Sequence, residues 1–164
     1  MLDLGGLGEM LLRWVELYPL VSIEDPFAED DIEGFRAFTA AVGKKVQIVG
    51  DDLLVTDAGR IERAAREKLA TCALIKPNQA GTVTETLAAL RAAQASGLGA
   101  IVSARSGESE DVTIAHLSVG WNAGQLKVGS IARGERTAKW NEILRIEEAL
   151  GPRAQFAGGA ALAF

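Results

Sequence analysis

Five short apolar runs, each leading into a chemically useful polar residue, recur along this chain at intervals that limit what it can fold into. The residues are Glu24, Asp51, Lys76, Arg105 and Lys127, and successive ones lie 22 to 29 positions apart. One strand, one helix and their loops occupy that length, so the spacing predicts repeated βα units with parallel strands. Polar side chains at the C-terminal ends of successive buried strands are the arrangement of an α/β-barrel active site. The five positions are therefore expected to face one pocket.

The runs carry the composition that parallel strands need. Leu20-Val21-Ser22-Ile23, Val46-Gln47-Ile48-Val49, Ala73-Leu74-Ile75, Ala100-Ile101-Val102-Ser103 and Gln125-Leu126 read as five buried strands, the first four rich in β-branched or aliphatic residues. Helical periodicity fills the intervals: Ile32, Phe35, Phe38 and Val42, then Ile61, Ala65 and Leu69, then Val83, Leu87, Leu90 and Ala93. Asp57 is placed to cap the second of these helices, and Thr82 with Glu85 forms a capping box for the third. A last helix is expected from about Glu135 to Leu150, stopping at Gly151-Pro152, with Trp140, Ile143, Leu144 and Leu150 on one side and Trp140 in the core. A leading helix, about Leu7 to Leu17, ends before Pro19. No linker-like shift in composition interrupts residues 1–164, which read as a single domain.

Composition excludes several classes. A 164-residue chain that is 48% hydrophobic and 24% charged has the balance of a globular domain with a real core. Lys+Arg 17 against Asp+Glu 22 leaves a net charge of −5, which argues against a general nucleic-acid or membrane surface. The single Cys72 allows no intramolecular disulfide, which fits a reduced cytoplasmic setting. It precedes Ala73-Leu74-Ile75, so a small buried side chain is expected there, not a nucleophile. No run reaches the roughly 20 apolar residues of a membrane span. Asp3 and Glu9 stand where an export signal would carry basic residues.

Two architectures compete. A closed barrel has eight strands and usually takes about 250 residues, so five strands make an incomplete one. A doubly wound sheet would be complete at this size, but its site concentrates at a switch point, and no GxGxxG or Walker loop follows the first strand. A polar candidate at every strand end favours the incomplete α/β barrel.

The strand-end segments are more specific still. Ser22-Ile23-Glu24-Asp25-Pro26-Phe27, Gly50-Asp51-Asp52-Leu53, Leu74-Ile75-Lys76-Pro77-Asn78-Gln79, Arg105-Ser106-Gly107-Glu108 and Gly124-Gln125-Leu126-Lys127-Val128-Gly129 resemble, in order and spacing, the enolase family, the glycolytic phosphopyruvate hydratases. The similarity covers residues 19–158, between a leading helix at 1–18 and a tail at 159–164. It implies a partial (β/α) TIM-type barrel of the enolase C-terminal domain, without the N-terminal domain and first strands. It implies a Mg²⁺-dependent lyase that reversibly dehydrates 2-phosphoglycerate to phosphoenolpyruvate. By resemblance, Glu24 and Asp51 bind the metal, Lys76 is the proton acceptor, Lys127 binds the substrate carboxylate, and Arg105 with Ser106 binds the phosphate. The residue types suit those roles. Mg²⁺ takes a few carboxylates plus water and substrate oxygens, a lysine among apolar neighbours is the kind that serves as a base, and arginine grips phosphate oxygens two at a time. Strand alternation is expected to point the adjacent acids, Asp25 and Asp52, elsewhere.

The sequence departs from the family pattern at three points. Ala104 stands where enolases usually have histidine, and the only histidine, His116, falls in a helical stretch where packing or surface exposure is expected. Pro77 follows the lysine where an aliphatic residue is more usual, and its fixed φ bears on how Lys76 is presented. The family's third metal carboxylate and the acid for the leaving hydroxyl fall outside these segments. The expectation is a weak or inactive enolase as an isolated chain, working as a homodimer or with a complementing N-terminal enolase segment. The alternatives are a non-catalytic remnant acting as a binding module, or another enolase-superfamily reaction on a different acid.

Overall fold

The computed structural model describes residues 4–164. It builds five strands, β1 (Ser22–Glu24), β2 (Gln47–Gly50), β3 (Cys72–Ile75), β4 (Gly99–Ser103) and β5 (Gly124–Lys127), into one sheet in the order of the chain. Every neighbouring pair is parallel. An order without reversal has no switch point, which removes the doubly wound alternative. The helices are α1 (Leu4–Leu17), α2 (Ile32–Val42), α3 (Ala58–Glu67), α4 (Pro77–Ala80), α5 (Val83–Ala95), α6 (Thr113–Gly120) and α7 (Gly134–Leu150). Of the expected leading segment 1–18, residues 1–3 lie outside the described residues.

The sheet is curled. Neighbouring strands are about 4.8 Å apart, so in a flat sheet β1 and β5 would be separated by about 19 Å. Yet Lys127 Nζ at the end of β5 donates to both carboxylate oxygens of Glu24 at the end of β1, at 2.6 Å each. One turn lower, Gln125 Nε2 on β5 donates to Gln47 Oε1 on β2 at 2.9 Å. Side chains of edge and near-edge strands meet only if the sheet wraps around a concave face, as in part of a barrel.

Strand alternation divides the core into two layers. Ile48, Ala73, Ile75, Ala100 and Val102 point outward and pack with Phe35, Phe38, Ile61 and Leu90 of the helices. Val49, Cys72, Leu74 and Ile101 point inward and form a smaller cluster with Ala163 of the tail. The tail is fixed there by hydrogen bonds from Gln125 Nε2 to Ala161 O, 2.8 Å, and from the Ala163 amide to Gln47 Oε1, 3.1 Å. Phe27 locks α2 to the loop before it, meeting Phe35 and Phe38 edge-on with ring centroids 6.0 and 5.7 Å away. β2 and β3 are fully buried, but β1 and β5 are not. The expectation of five buried strands is corrected at the two edges, each of which has a strand neighbour on one side only among the described residues.

Both expected helix caps form. Asp57 accepts from the Arg60 amide at 2.8 Å, and Thr82 Oγ1 accepts from the Glu85 amide at 3.1 Å while donating to its carboxylate at 2.8 Å. The last helix differs from expectation in its buried side. Trp140 is 36% exposed and Leu144 62%, whereas Lys139 is fully buried. The indole of Trp140 donates to Ser130 O at 2.8 Å and stays at the surface. No helix among the described residues is long and apolar enough to cross a membrane.

Candidate active site

Four of the six predicted site residues form two ion pairs at the C-terminal ends of the strands. Lys76, just beyond β3, donates from Nζ to Asp51 Oδ2, just beyond β2, at 2.5 Å. Both residues are 8% exposed. Lys127 and Glu24 make the second pair across the mouth of the curl, with 41% and 31% of their side chains exposed. Glu24 and Lys127 meet on the concave side, whereas Asp51 and Lys76 pair just beyond the ends of β2 and β3 and do not line the space between the edge strands. An open cleft of about 700 Å³ there is lined by Glu24, Val49, Ile101, Leu126 and Lys127, with Trp140 at its rim.

The loops after β2 and β3 hold the Asp51–Lys76 pair. Val55 and Thr56 adopt successive left-handed conformations, φ 47 and 55, which a β-branched residue enters only under strain. The turn aims the Thr56 hydroxyl at β3, where its oxygen accepts from the Lys76 amide at 2.9 Å and its proton goes to Gln79 Oε1 at 2.7 Å. Lys76 itself is extended, φ −120 and ψ 107, the conformation imposed on a residue before proline. Pro77 then occupies the first position of α4, where its missing N–H costs nothing.

Asp25 is not directed elsewhere, as alternation suggested. β1 ends at Glu24, and Asp25 turns back with φ 40. Its two carboxylate oxygens accept from the amides of Asp51 and Asp52, at 2.9 Å each. Carboxylate oxygens of Asp25, Asp51 and Asp52 consequently lie within 4.8 Å of one another. Burial, followed by the neighbouring charges of Asp51 and Asp52, raises the Asp25 carboxyl above the ordinary aspartate value, with the two amide hydrogen bonds opposing.

Arg105 and Ser106 lie in the loop beyond β4. Among the described residues their side chains hydrogen-bond to nothing, and the structure does not join them to the two ion pairs. Their backbone is held instead by Arg136 of α7, which donates to Arg105 O and Ser106 O at 3.2 and 2.8 Å. Sequence reasoning missed Arg136 and its neighbour Lys139. The available signal was their three-residue spacing on a helix that follows the last strand. Ala104 is buried in the outer core cluster and offers packing only. His116 is 56% exposed and pairs with Glu142 at 3.0 Å, away from the cleft. Burial pushes the Cys72 thiol up to about 12, as an unreactive core residue requires.

Carboxylate oxygens are the donors a hard divalent cation takes, and Asp51 Oδ1 is buried with no hydrogen-bond partner among the described residues, whereas both oxygens of Glu24 are engaged by Lys127 and Glu24 is not one of the acids that cluster at Asp51. A buried charged oxygen left unpaired is costly unless a ligand completes it.

A partial (β/α) barrel with paired carboxylates and lysines at its strand ends is the class that fold and site define. Residues 3–163 match the family described as enolase, C-terminal TIM barrel domain, and the chain belongs to that family. It is 54% identical over 147 residues to Enolase 1 of Desulfitobacterium hafniense (strain Y51), covering 90% of this chain and 34% of that protein. It is 56% identical over 150 residues to Enolase of Anaplasma marginale (strain St. Maries), covering 90% of this chain and 35% of that protein. The chain thus spans about a third of the length of these relatives.

Proposed function

We propose that these residues are the proton-abstraction part of an enolase site, acting on 2-phosphoglycerate in its reversible conversion to phosphoenolpyruvate. The observation that carries this is the buried pair of Lys76 and Asp51, with the orphaned Asp51 Oδ1 beside it. Counted at formal charge, Glu24, Asp51, Lys76 and Lys127 sum to zero. From these four the substrate carboxylate gains no net attraction without a cation at the acids, while the phosphate relies on Arg105. Glu24 and Asp51 would hold Mg²⁺, which supplies positive charge against the carboxylate charge that grows as the α-proton leaves.

Lys76 would take the α-proton at Nζ, and Lys127 would orient the substrate carboxylate. Arg105 and Ser106 bind the phosphate, and the concave wall of Val49, Leu74 and Ile101 excludes water from behind the site. Asp25 holds the Asp51 backbone in place. We assign no residue here to protonate the departing hydroxyl, a service worth about 10² to 10⁴ in rate. A polypeptide of these 164 residues should therefore turn over slowly, and a second copy or a complementing enolase segment is the proposed partner. We further propose that residues 1–164 act as one domain and work in the cytoplasm.

The test is formation of phosphoenolpyruvate, followed as enolpyruvate absorbance with and without Mg²⁺, in the unsubstituted chain and in Lys76→Ala. A slow Mg²⁺-dependent rate that disappears in the variant supports the assignment. A rate unaffected by either change overturns it.

A further inference from the structure

We propose that Arg136 and Lys139 are positioning residues that hold the β4–α6 loop in the shape that presents Arg105 and Ser106 to a phosphate group. The inference rests on the phosphate role assigned to those two side chains above. The loop, residues 104–112, has no regular structure of its own. Its Arg105, Ser106 and Ser109 carbonyls accept from side chains of α7.

Arg136 Nη1 donates to Arg105 O at 3.2 Å and to Val128 O at 3.1 Å, and Nη2 donates to Ser106 O at 2.8 Å. One guanidinium thus ties the loop after β4 to the loop after β5, which follows Lys127. Gly129, with φ +98, stands against that guanidinium, and its left-handed turn lets the chain bend there without strain. Lys139, one helical turn on, donates from Nζ to Ser109 O at 2.5 Å and Glu135 O at 2.8 Å, with Glu108 Oε1 at 3.8 Å. At Gly134 a Cβ would collide with the carboxylate of Glu110, so the loop lies directly on the start of the helix.

Lys139 is fully buried although α7 has a long solvent face on which a lysine would sit at no cost. Removing an ammonium from water is expensive unless its donors are engaged, and here the partners outside its own helix, Ser109 O and the Glu108 carboxylate, belong to the loop. The division of labour is clear in the hydrogen bonds. Backbone atoms of Arg105 and Ser106 are fixed, while their side chains are left for a ligand. Preorganised donors of this kind bind without the entropy cost of ordering a loop.

The test is an amide-resolved NMR titration of the full 164-residue chain with inorganic phosphate, reading Ser106 and Gly107. Saturable shifts that vanish in Arg105→Ala are expected, and they establish the phosphate role independently of α7. Arg136→Gln and Lys139→Met should then weaken phosphate binding by about tenfold, the scale of one or two lost charge-assisted hydrogen bonds. Arg136→Gln should do so with an unchanged thermal midpoint, and Arg136→Lys should recover part of the affinity. Phosphate affinity equal to the unsubstituted chain in Arg136→Gln overturns the positioning role alone. No saturable shift in the unsubstituted chain overturns the phosphate reading, and the positioning role with it.

Discussion

The Asp51–Lys76 pair gives the sharpest energetic prediction. Each residue is 8% exposed, the contact is 2.5 Å, and Asp51 Oδ1 has no hydrogen-bond partner among the described residues. Lys76→Met keeps most of the side-chain volume and removes the only side-chain donor to Asp51 among the described residues. A buried carboxylate without its partner costs about 3 to 5 kcal/mol, and by symmetry Asp51→Asn strands the lysine at a similar cost. The double variant leaves two neutral groups of nearly the original shape, so it should be less destabilised than the sum of the singles by at least about 2 kcal/mol. The assay is urea unfolding at neutral pH. With a slope of about 2 kcal/mol per molar, the Lys76→Met midpoint should fall by about 1.5 to 2.5 M. Lys127→Met is the control, since its pair with Glu24 is 41% and 31% exposed and should contribute about 1 kcal/mol or less. Additive single and double variants, or equal losses from Lys76→Met and Lys127→Met, would refute the reasoning.

Two further predictions rest on the core. Cys72, raised from 9.0 to about 12 by burial, should resist an aromatic disulfide reagent at pH 8 in the folded chain and react at once in urea. The folded value lies above the unfolded one, so the thiol's contribution to stability is complete below pH 9 and is lost as pH rises toward 12, at about 1.4 kcal/mol per unit. Urea midpoints that stay level across that window in comparison with Cys72→Ala would contradict this. A Cβ on Gly50 would stand 2.7 Å from Cγ of Leu54, a fully buried side chain. Gly50→Ala should therefore cost about 1 to 3 kcal/mol by overpacking, read as a lowered thermal midpoint, and the paired Leu54→Ala change should recover part of it.

What was legible in the sequence was whatever repeats or acts locally. The spacing of apolar runs located five strands and their order, and Asp57 and the Thr82–Glu85 box marked helix starts, because each signal lies within one βα unit. Asp25 was misread because alternation holds only while the strand continues, and the backbone turns left-handed immediately after Glu24. Trp140 was misread by one helical position. An apolar side with Trp140 in the core was expected, but the start of α7 covers loop carbonyls, which long cations satisfy where an indole does not. The Gln47–Gln125 contact joins residues 78 positions apart, and nothing local announces it. Of the candidate site, the strand-end residues followed from the spacing, whereas the pairing of each acid with its lysine depends on the curl of the sheet.

The proposed removal of the substrate α-proton by Lys76 can be followed without asking for elimination at all. The measurement is exchange of the C2 hydrogen of 2-phosphoglycerate for deuterium in D₂O, followed by proton NMR with and without Mg²⁺. Proton abstraction needs the base and the stabilising charge but no acid for the leaving group, so a slow dehydratase should still exchange. Mg²⁺-dependent exchange is expected to be abolished in Lys76→Ala and retained in the surface variant His116→Ala. Exchange that continues undiminished in Lys76→Ala would contradict the proposal.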